Sequence, residues 1–196
     1  MLLCNGALCV AGHPVAGAAK KGTGRMDGFV TAEAGRRRTL KAAIGCVGVG
    51  LHSGLRAELT LRPAAAGTGI VFRRSDLGID IPALFDRVVD TRLCTAIGEG
   101  EARIGTIEHV MAALAGAGID DAVVEVDGPE APIMDGSAAP FVFLIDCAGI
   151  ATTAAPRGAI EVLRPIRVED ASGAFAELLP AREPAFDAEL EIDFPN

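Results

Sequence analysis

The chain has 196 residues, half of them hydrophobic, which is enough for one good core and part of a second. Its formal net charge of −8 is unevenly spread: residues 1–41 hold seven Lys and Arg against two acidic residues, whereas residues 42–196 hold eleven Arg, no Lys and twenty-four Asp and Glu. So acidic a body argues against nucleic acid as the main partner, and no apolar run reaches the length of an integral membrane segment.

The five cysteines, Cys4, Cys9, Cys46, Cys94 and Cys147, form no CxxC pair. That excludes a disulfide framework or a zinc knuckle as the organising device and points to a reducing compartment. The start, Met1-Leu2-Leu3-Cys4, lacks the basic n-region of a secretory signal, so a cytoplasmic location is expected.

Residues 1–35 are rich in Gly and Ala and show no periodicity. They read as a disordered tail, or as an over-long gene start with Met26 the true initiator. Arg36-Arg37-Arg38 reads as a solvated edge before the first strand rather than a nucleic-acid patch. Thr39–Val47 is a predicted strand running into a glycine-punctuated turn, Gly48 to Gly54. Leu55–Arg62 alternates apolar and polar residues, the pattern of a half-buried strand, and Pro63 stops it. Gly69–Arg73 is expected to return as the second strand of a hairpin, and Arg92–Ile97 is a further short strand.

A helix then opens within Ile104-Gly105-Thr106-Ile107-Glu108-His109, with Thr106 as the expected N-cap and Gly116 or Gly118 near its end. Ala122–Val126 is a strand dense in β-branched residues. Ser137 and Pro140 begin a second helix, Phe141–Cys147, ended by Gly149. An Ala/Thr/Pro/Gly stretch over 151–158 reads as a linker. Only strands follow: Ala159–Val168, Ala174–Leu179 and Phe186–Phe194. The last of these has an apolar face and no helix after it to cover that face, so an open sheet edge and self-association are expected.

The first helix places Ile107, Val110, Met111 and Leu114 on one face and Ala112, Ala113 and Gly116 on the other. A helix apolar all round is expected to be buried between layers. Glu108 and His109 would then be carried inward, where an uncompensated charge is costly, so the pair is kept for chemistry or a metal. The alternative is a core histidine satisfied by a carbonyl, with the glutamate favouring the helix N-terminus.

Three further segments change that balance: Val49-Gly50-Leu51-His52-Ser53-Gly54, Asp90-Thr91-Arg92-Leu93-Cys94-Thr95, and Pro132 to Phe141 with its Met134-Asp135-Gly136-Ser137 centre. With Thr106–His109 and Ala112–Gly116 they closely resemble the UDP-3-O-acyl-N-acetylglucosamine deacetylase family, zinc amidases of lipid A synthesis in Gram-negative bacteria. The resemblance runs from about Arg38 to the last residue.

It implies α+β domains in which a sheet carries helices on one face (ribosomal protein S5 domain 2-like). One complete copy is expected over 36–150 and an incomplete second copy over 159–196, the two helix layers facing each other around the site. It further implies that His109 is a zinc ligand, binding as neutral imidazole, and that Glu108 is the general base acting on the metal's water. Leu93, Cys94 and Thr95 match a segment near the acyl and acetyl groups of the substrate, UDP-3-O-acyl-N-acetylglucosamine. Cys94 is then a wall of the cleft, or simply a small core residue. His52 matches a rim histidine that assists without binding the catalytic zinc, or is only a turn histidine. Asp135-Gly136-Ser137 is a turn and helix cap with no chemical role.

The chain also departs from the family pattern. The family's other two zinc ligands, a His and an Asp, come from a helix of the second domain, and its general-acid histidine from further along. Here the histidines are His13, His52 and His109. The zinc site is therefore expected to be incomplete and these residues inactive alone. The alternatives are a remnant or pseudoenzyme that at most binds the sugar nucleotide or an intact homologue, and one half of a split enzyme pairing with a separately encoded C-terminal half.

Overall fold

A computed structural model describes residues 21–26, 29–171, 173 and 175–180. The expected strand Phe186–Phe194, His13 and the first twenty residues lie outside the described residues. The strands are β1 (Lys21–Met26), β2 (Phe29–Leu40), β3 (Ile44–Val49), β4 (Arg56–Pro63), β5 (Ile70–Arg74), β6 (Ile79–Pro82), β7 (Val88–Asp90), β8 (Ala96–Glu99), β9 (Ala102–Ile104), β10 (Ala122–Val126), β11 (Ile150–Val162), β12 (Ile166–Glu169) and β13 (Phe175–Leu178). Among the described residues two α-helices, α1 (Glu108–Gly116) and α2 (Ala139–Ala148), complete an α+β arrangement.

The main sheet has the order β3-β4-β10-β5-β6. The alternation in β4 buries Ala57, Leu59 and Leu61 on one face. Phe72, Ile81, Val124 and Val126 join them from the neighbouring strands, and Val110, Met111, Leu114, Phe141 and Ile145 of the two helices close the same core. The opposite face is a charged ladder across four strands. Arg62 of β4 pairs with Glu125 of β10, Glu125 with Arg73 of β5 at 3.5 Å, and Arg73 with Asp80 of β6 at 2.6 Å. Such half-exposed pairs add little stability each, but they keep this face wet and the helices on the other.

Several expectations need correction. β4 and β5 are not a hairpin: β10 lies between them, antiparallel to β4 and parallel to β5. Arg92–Ile97 is not a strand, because Asp90 accepts from the Arg92 backbone N–H at 3.1 Å and grips its guanidinium, bending the chain before β8 begins at Ala96. Nor is α1 buried all round, since Ala112 and Gly116 are exposed. Residues 29–35, read as part of a tail, and 151–158, read as a linker, are strand. β2 and β11 pair antiparallel along most of their length. Pro156 is tolerated there because β11 is the edge of the order β1-β2-β11.

That long ribbon is strapped to the main sheet by two adjacent carboxylates before β10. Asp121 is fully buried and accepts from Arg37 Nε at 2.8 Å, from its terminal nitrogen at 2.7 Å, and from the backbone N–H groups of Gly67 and Gly69. Burial opposes its charge, but the Arg37 guanidinium and those N–H groups prevail and hold the carboxyl below its ordinary range. Asp120 accepts from the Arg38 N–H at 2.8 Å and pairs with Arg157 of β11 at the same distance. Arg37 is therefore a structural ion-pair partner and not part of a solvated edge. Asp121→Ala leaves a partly buried guanidinium without its carboxylate, bonded only to the Asp120 carbonyl at 3.2 Å, and two backbone donors unpaired, so urea denaturation is expected to show a loss of roughly 3 kcal/mol.

Candidate functional site

The six-residue turn after β3 is closed by Gly50 N–H to the Leu55 carbonyl at 2.9 Å and Gly54 N–H to the Gly50 carbonyl at 3.0 Å. Its tip is held from outside by Glu130, whose Oε1 accepts from His52 N–H at 2.9 Å and whose Oε2 accepts from Ser53 N–H at 2.8 Å. A Cβ at Gly50 would collide with the Ser53 hydroxyl and with this carboxylate, so only glycine permits the approach.

Thr106 does not cap α1. Its backbone is left-handed, with φ of +57°, and its hydroxyl donates to Glu130 Oε1 at 2.9 Å. The N-cap is Ile107, which makes no side-chain cap hydrogen bond. Thr106 and Met134 (φ +55°) are the non-glycine residues with positive φ among the described residues, and they open Thr106–His109 and Met134–Ser137, two of the segments singled out above. Backbone strain of this kind persists only where the surroundings over-determine it.

Glu108 opens the first turn of α1, where the helix dipole favours an anion. One of its oxygens, Oε2, accepts the Thr95 backbone N–H at 2.9 Å. The carboxylate is thereby tied to the Leu93–Thr95 segment that the sequence picked out separately. Thr95 itself is buried, Cys94 half-buried, and Leu93 stands 83% exposed. His109 is half-buried beside Glu108. Asp135 lies within its electrostatic reach: hydrogen bonds from the Ser137 hydroxyl and N–H pull the Asp135 carboxyl below its usual range, and the His109 ring adds to that pull. Ser137 Oγ in turn accepts the Ala139 N–H at 3.1 Å, so the expected turn is present, but the N-cap of α2 is Ala138, without a side-chain cap hydrogen bond.

A cleft joins His52, Arg92, Leu93, Cys94, Thr106 and Glu130. Glu108 and His109 do not line it; the Glu108 carboxylate is bonded to the N–H of Thr95, the residue after Cys94 of the cleft wall. The structure thus brings His52 together with the Leu93–Cys94 wall and sets the Glu108–His109 pair next door. Sequence reasoning missed Glu130, whose loop partners lie more than seventy residues upstream, and it gave Asp135 no part near His109. Pro129-Glu130-Ala131-Pro132 carries no pattern that marks its acid. Burial works against charge on Glu130, but hydrogen bonds from the Ser53 hydroxyl, the His52 and Ser53 N–H groups and Thr106 outweigh it and push its carboxyl down to about 2.

A three-ligand zinc site needs three donors and an open position. Among the described residues no three His, Cys, Asp or Glu side chains gather so as to hold a metal ion. These residues alone do not fit a complete zinc site.

Residues 37–196 match the model of the UDP-3-O-acyl N-acetylglycosamine deacetylase family. The chain is 52% identical over 163 residues to the UDP-3-O-acyl-N-acetylglucosamine deacetylase of Vibrio cholerae serotype O1, covering 82% of this chain and 53% of that protein. It is 53% identical over 163 residues to the protein of the same name from Acidithiobacillus ferrooxidans. Against that of Legionella pneumophila it is 54% identical over 147 residues, 74% of this chain and 48% of the relative. The chain spans about half the length of these relatives. Over that half, identity above 50% and a family match across nearly all the described residues make it a member of the UDP-3-O-acyl-N-acetylglucosamine deacetylase family.

Proposed function

We propose that the protein these residues belong to hydrolyses the N-acetyl amide of UDP-3-O-acyl-N-acetylglucosamine in lipid A synthesis, in the cytoplasm and with zinc as cofactor. The observation that carries the reading is the Glu108 carboxylate, fixed through Oε2 to the Thr95 N–H and adjacent in sequence to an imidazole. The bond leaves Oε1 to take a proton from water. The water oxygen then adds to the acetyl carbonyl carbon, the C–N bond breaks, the amine leaves with a proton, and acetate is the other product.

His109 supplies one metal ligand; the remaining ligands and the acid that protonates the amine belong to residues other than those described. Leu93, Cys94 and Thr95 border the acyl and acetyl groups, and His52 stands at the rim. The domain type is ribosomal protein S5 domain 2-like, with a first copy over 36–150. No helix among the described residues is long and apolar enough to cross a membrane.

The lack of a three-ligand cluster among the described residues favours a second reading for residues 1–196 taken alone. In that reading they are one catalytically incomplete half, which needs a partner half to turn over substrate. Two measurements separate the readings. Incubated with UDP-3-O-acyl-N-acetylglucosamine and zinc, the 196-residue chain is expected to release no acetate above its Glu108→Ala variant. A form spanning the full length of the relatives is expected to turn over and to lose about 10²-fold or more with the same substitution. Turnover by the 196 residues that depends on Glu108 would overturn the incomplete-half reading; a full-length form indifferent to Glu108→Ala would overturn the assignment of the base. Equilibrium dialysis supplies the second test. One imidazole does not build a tight site, so zinc is expected to bind these residues weakly. A tight one-to-one site abolished by His109→Ala would reveal ligands beyond His109.

A further inference from the structure

Glu130 is placed by backbone pairing before its side chain does anything. Gly105 N–H donates to the Pro129 carbonyl at 2.9 Å and Ala131 N–H to the Gly105 carbonyl at 3.0 Å, a one-residue parallel bridge between the segment after β10 and the residue preceding Thr106. From there the carboxylate, with 6% of the residue exposed, faces the turn after β3. Its two oxygens draw donors from two separate segments: His52 N–H and the Thr106 hydroxyl on Oε1, Ser53 N–H on Oε2, and the Ser53 hydroxyl beside them. Charge-assisted bonds of this kind are the strong ones, and a buried carboxylate that lost them would be left uncompensated.

We propose that Glu130 is a positioning residue whose carboxylate couples the His52 turn to the segment leading into Glu108 and His109, so that rim histidine and carboxylate–imidazole pair hold one fixed relation. The turn has its own closing hydrogen bonds, so it stays a turn without Glu130; what Glu130 adds is its placement against Thr106. Thr106 touches neither His52 nor Ser53 by any hydrogen bond of its own, and the link between them runs through the acid. The proposal rests on the deacetylase reading only for the importance of these residues. Its test uses neither substrate nor metal, so its failure is distinct from a failure of that reading.

The test is amide hydrogen exchange and histidine-ring resonances of the 196-residue chain by NMR. In Glu130→Gln the amide oxygen can still face His52 and Thr106, but an –NH2 group then faces the Ser53 N–H and cannot accept it. Ser53 is expected to exchange on the order of tenfold faster, with His52 affected less. The amides of Val110 to Leu114 in α1 should stay within about twofold of the original, as local opening need not loosen the core. The His52 ring resonance moves toward its free-peptide position. Thr106→Val keeps the shape and removes one donor; it is expected to speed exchange at His52 and Ser53 and to move the same ring resonance, although residue 106 bonds to neither. This second variant decides the matter if Glu130→Gln does not fold. Wild-type exchange at Ser53 in Glu130→Gln, or a Thr106→Val effect confined to the neighbours of residue 106, would overturn the coupling.

Discussion

The central strand β10 is the element on which both the fold and the site depend, because a buried carboxylate stands near each of its ends. Asp121, just before it, gathers Arg37 and the Gly67–Gly69 turn and so ties the long β2–β11 ribbon to the sheet. Glu130, four residues after it, gathers the His52 turn and Thr106. Between them Ala122, Val124 and Val126 are buried in the core, flanked by β4 on one side and β5 on the other. Each carboxylate is held below its ordinary range by donors that overcome burial, so both anchors are present above the carboxylate range and weaken as pH falls through it.

Because β10 pairs parallel to β5, the chain between them must cross over, and a crossover between parallel strands carries a helix onto one face of the sheet. That helix is α1. The position of Glu108 and His109 thus follows from sheet topology: the crossover ends one turn of loop before β10, and its helix must start near the ends of the small β7-β8-β9 sheet. The Thr95 N–H, freed from any ladder by the bend that Asp90 imposes, is then available to the Glu108 carboxylate. The failure of the Arg92–Ile97 strand and the fixing of the Glu108 carboxylate are one event.

Elements whose signal is local were legible in the sequence. The alternation of Ala57, Leu59 and Leu61, the β-branched run Ala122–Val126 and the Gly149 stop after α2 all fall where periodicity and turn chemistry put them. Pairing partners were not legible. Nothing within Leu55–Arg73 says that a strand fifty residues later will part the apparent hairpin, since a half-buried strand reads the same whichever neighbour it takes. The same holds for charge: Arg37 in an arginine run looks solvated until the fold brings Asp121 to it. Among the site residues, an adjacent Glu-His pair is ambiguous by itself, and the family resemblance supplied what periodicity could not. Glu130 lay beyond both, because its role is defined wholly by donors distant in the chain.

The exposed side of α1 was also misjudged, and the reason bears on function. Glu108, Ala112, Ala115 and Gly116 recur at helical spacing, and that stripe is left open or half-open while Val110, Met111, Ala113 and Leu114 face the core. A solvent-facing stripe in an isolated domain carries charged residues; this one carries small residues below one carboxylate and one imidazole. On α2, Phe143 and Cys147 are exposed on the same helix layer. Small residues permit close approach of a second backbone, and a site built at the top of such a stripe gains a drier, lower-dielectric setting when that approach is made. A second apolar layer laid on this side of α1 would turn the open stripe into the buried helix its composition describes.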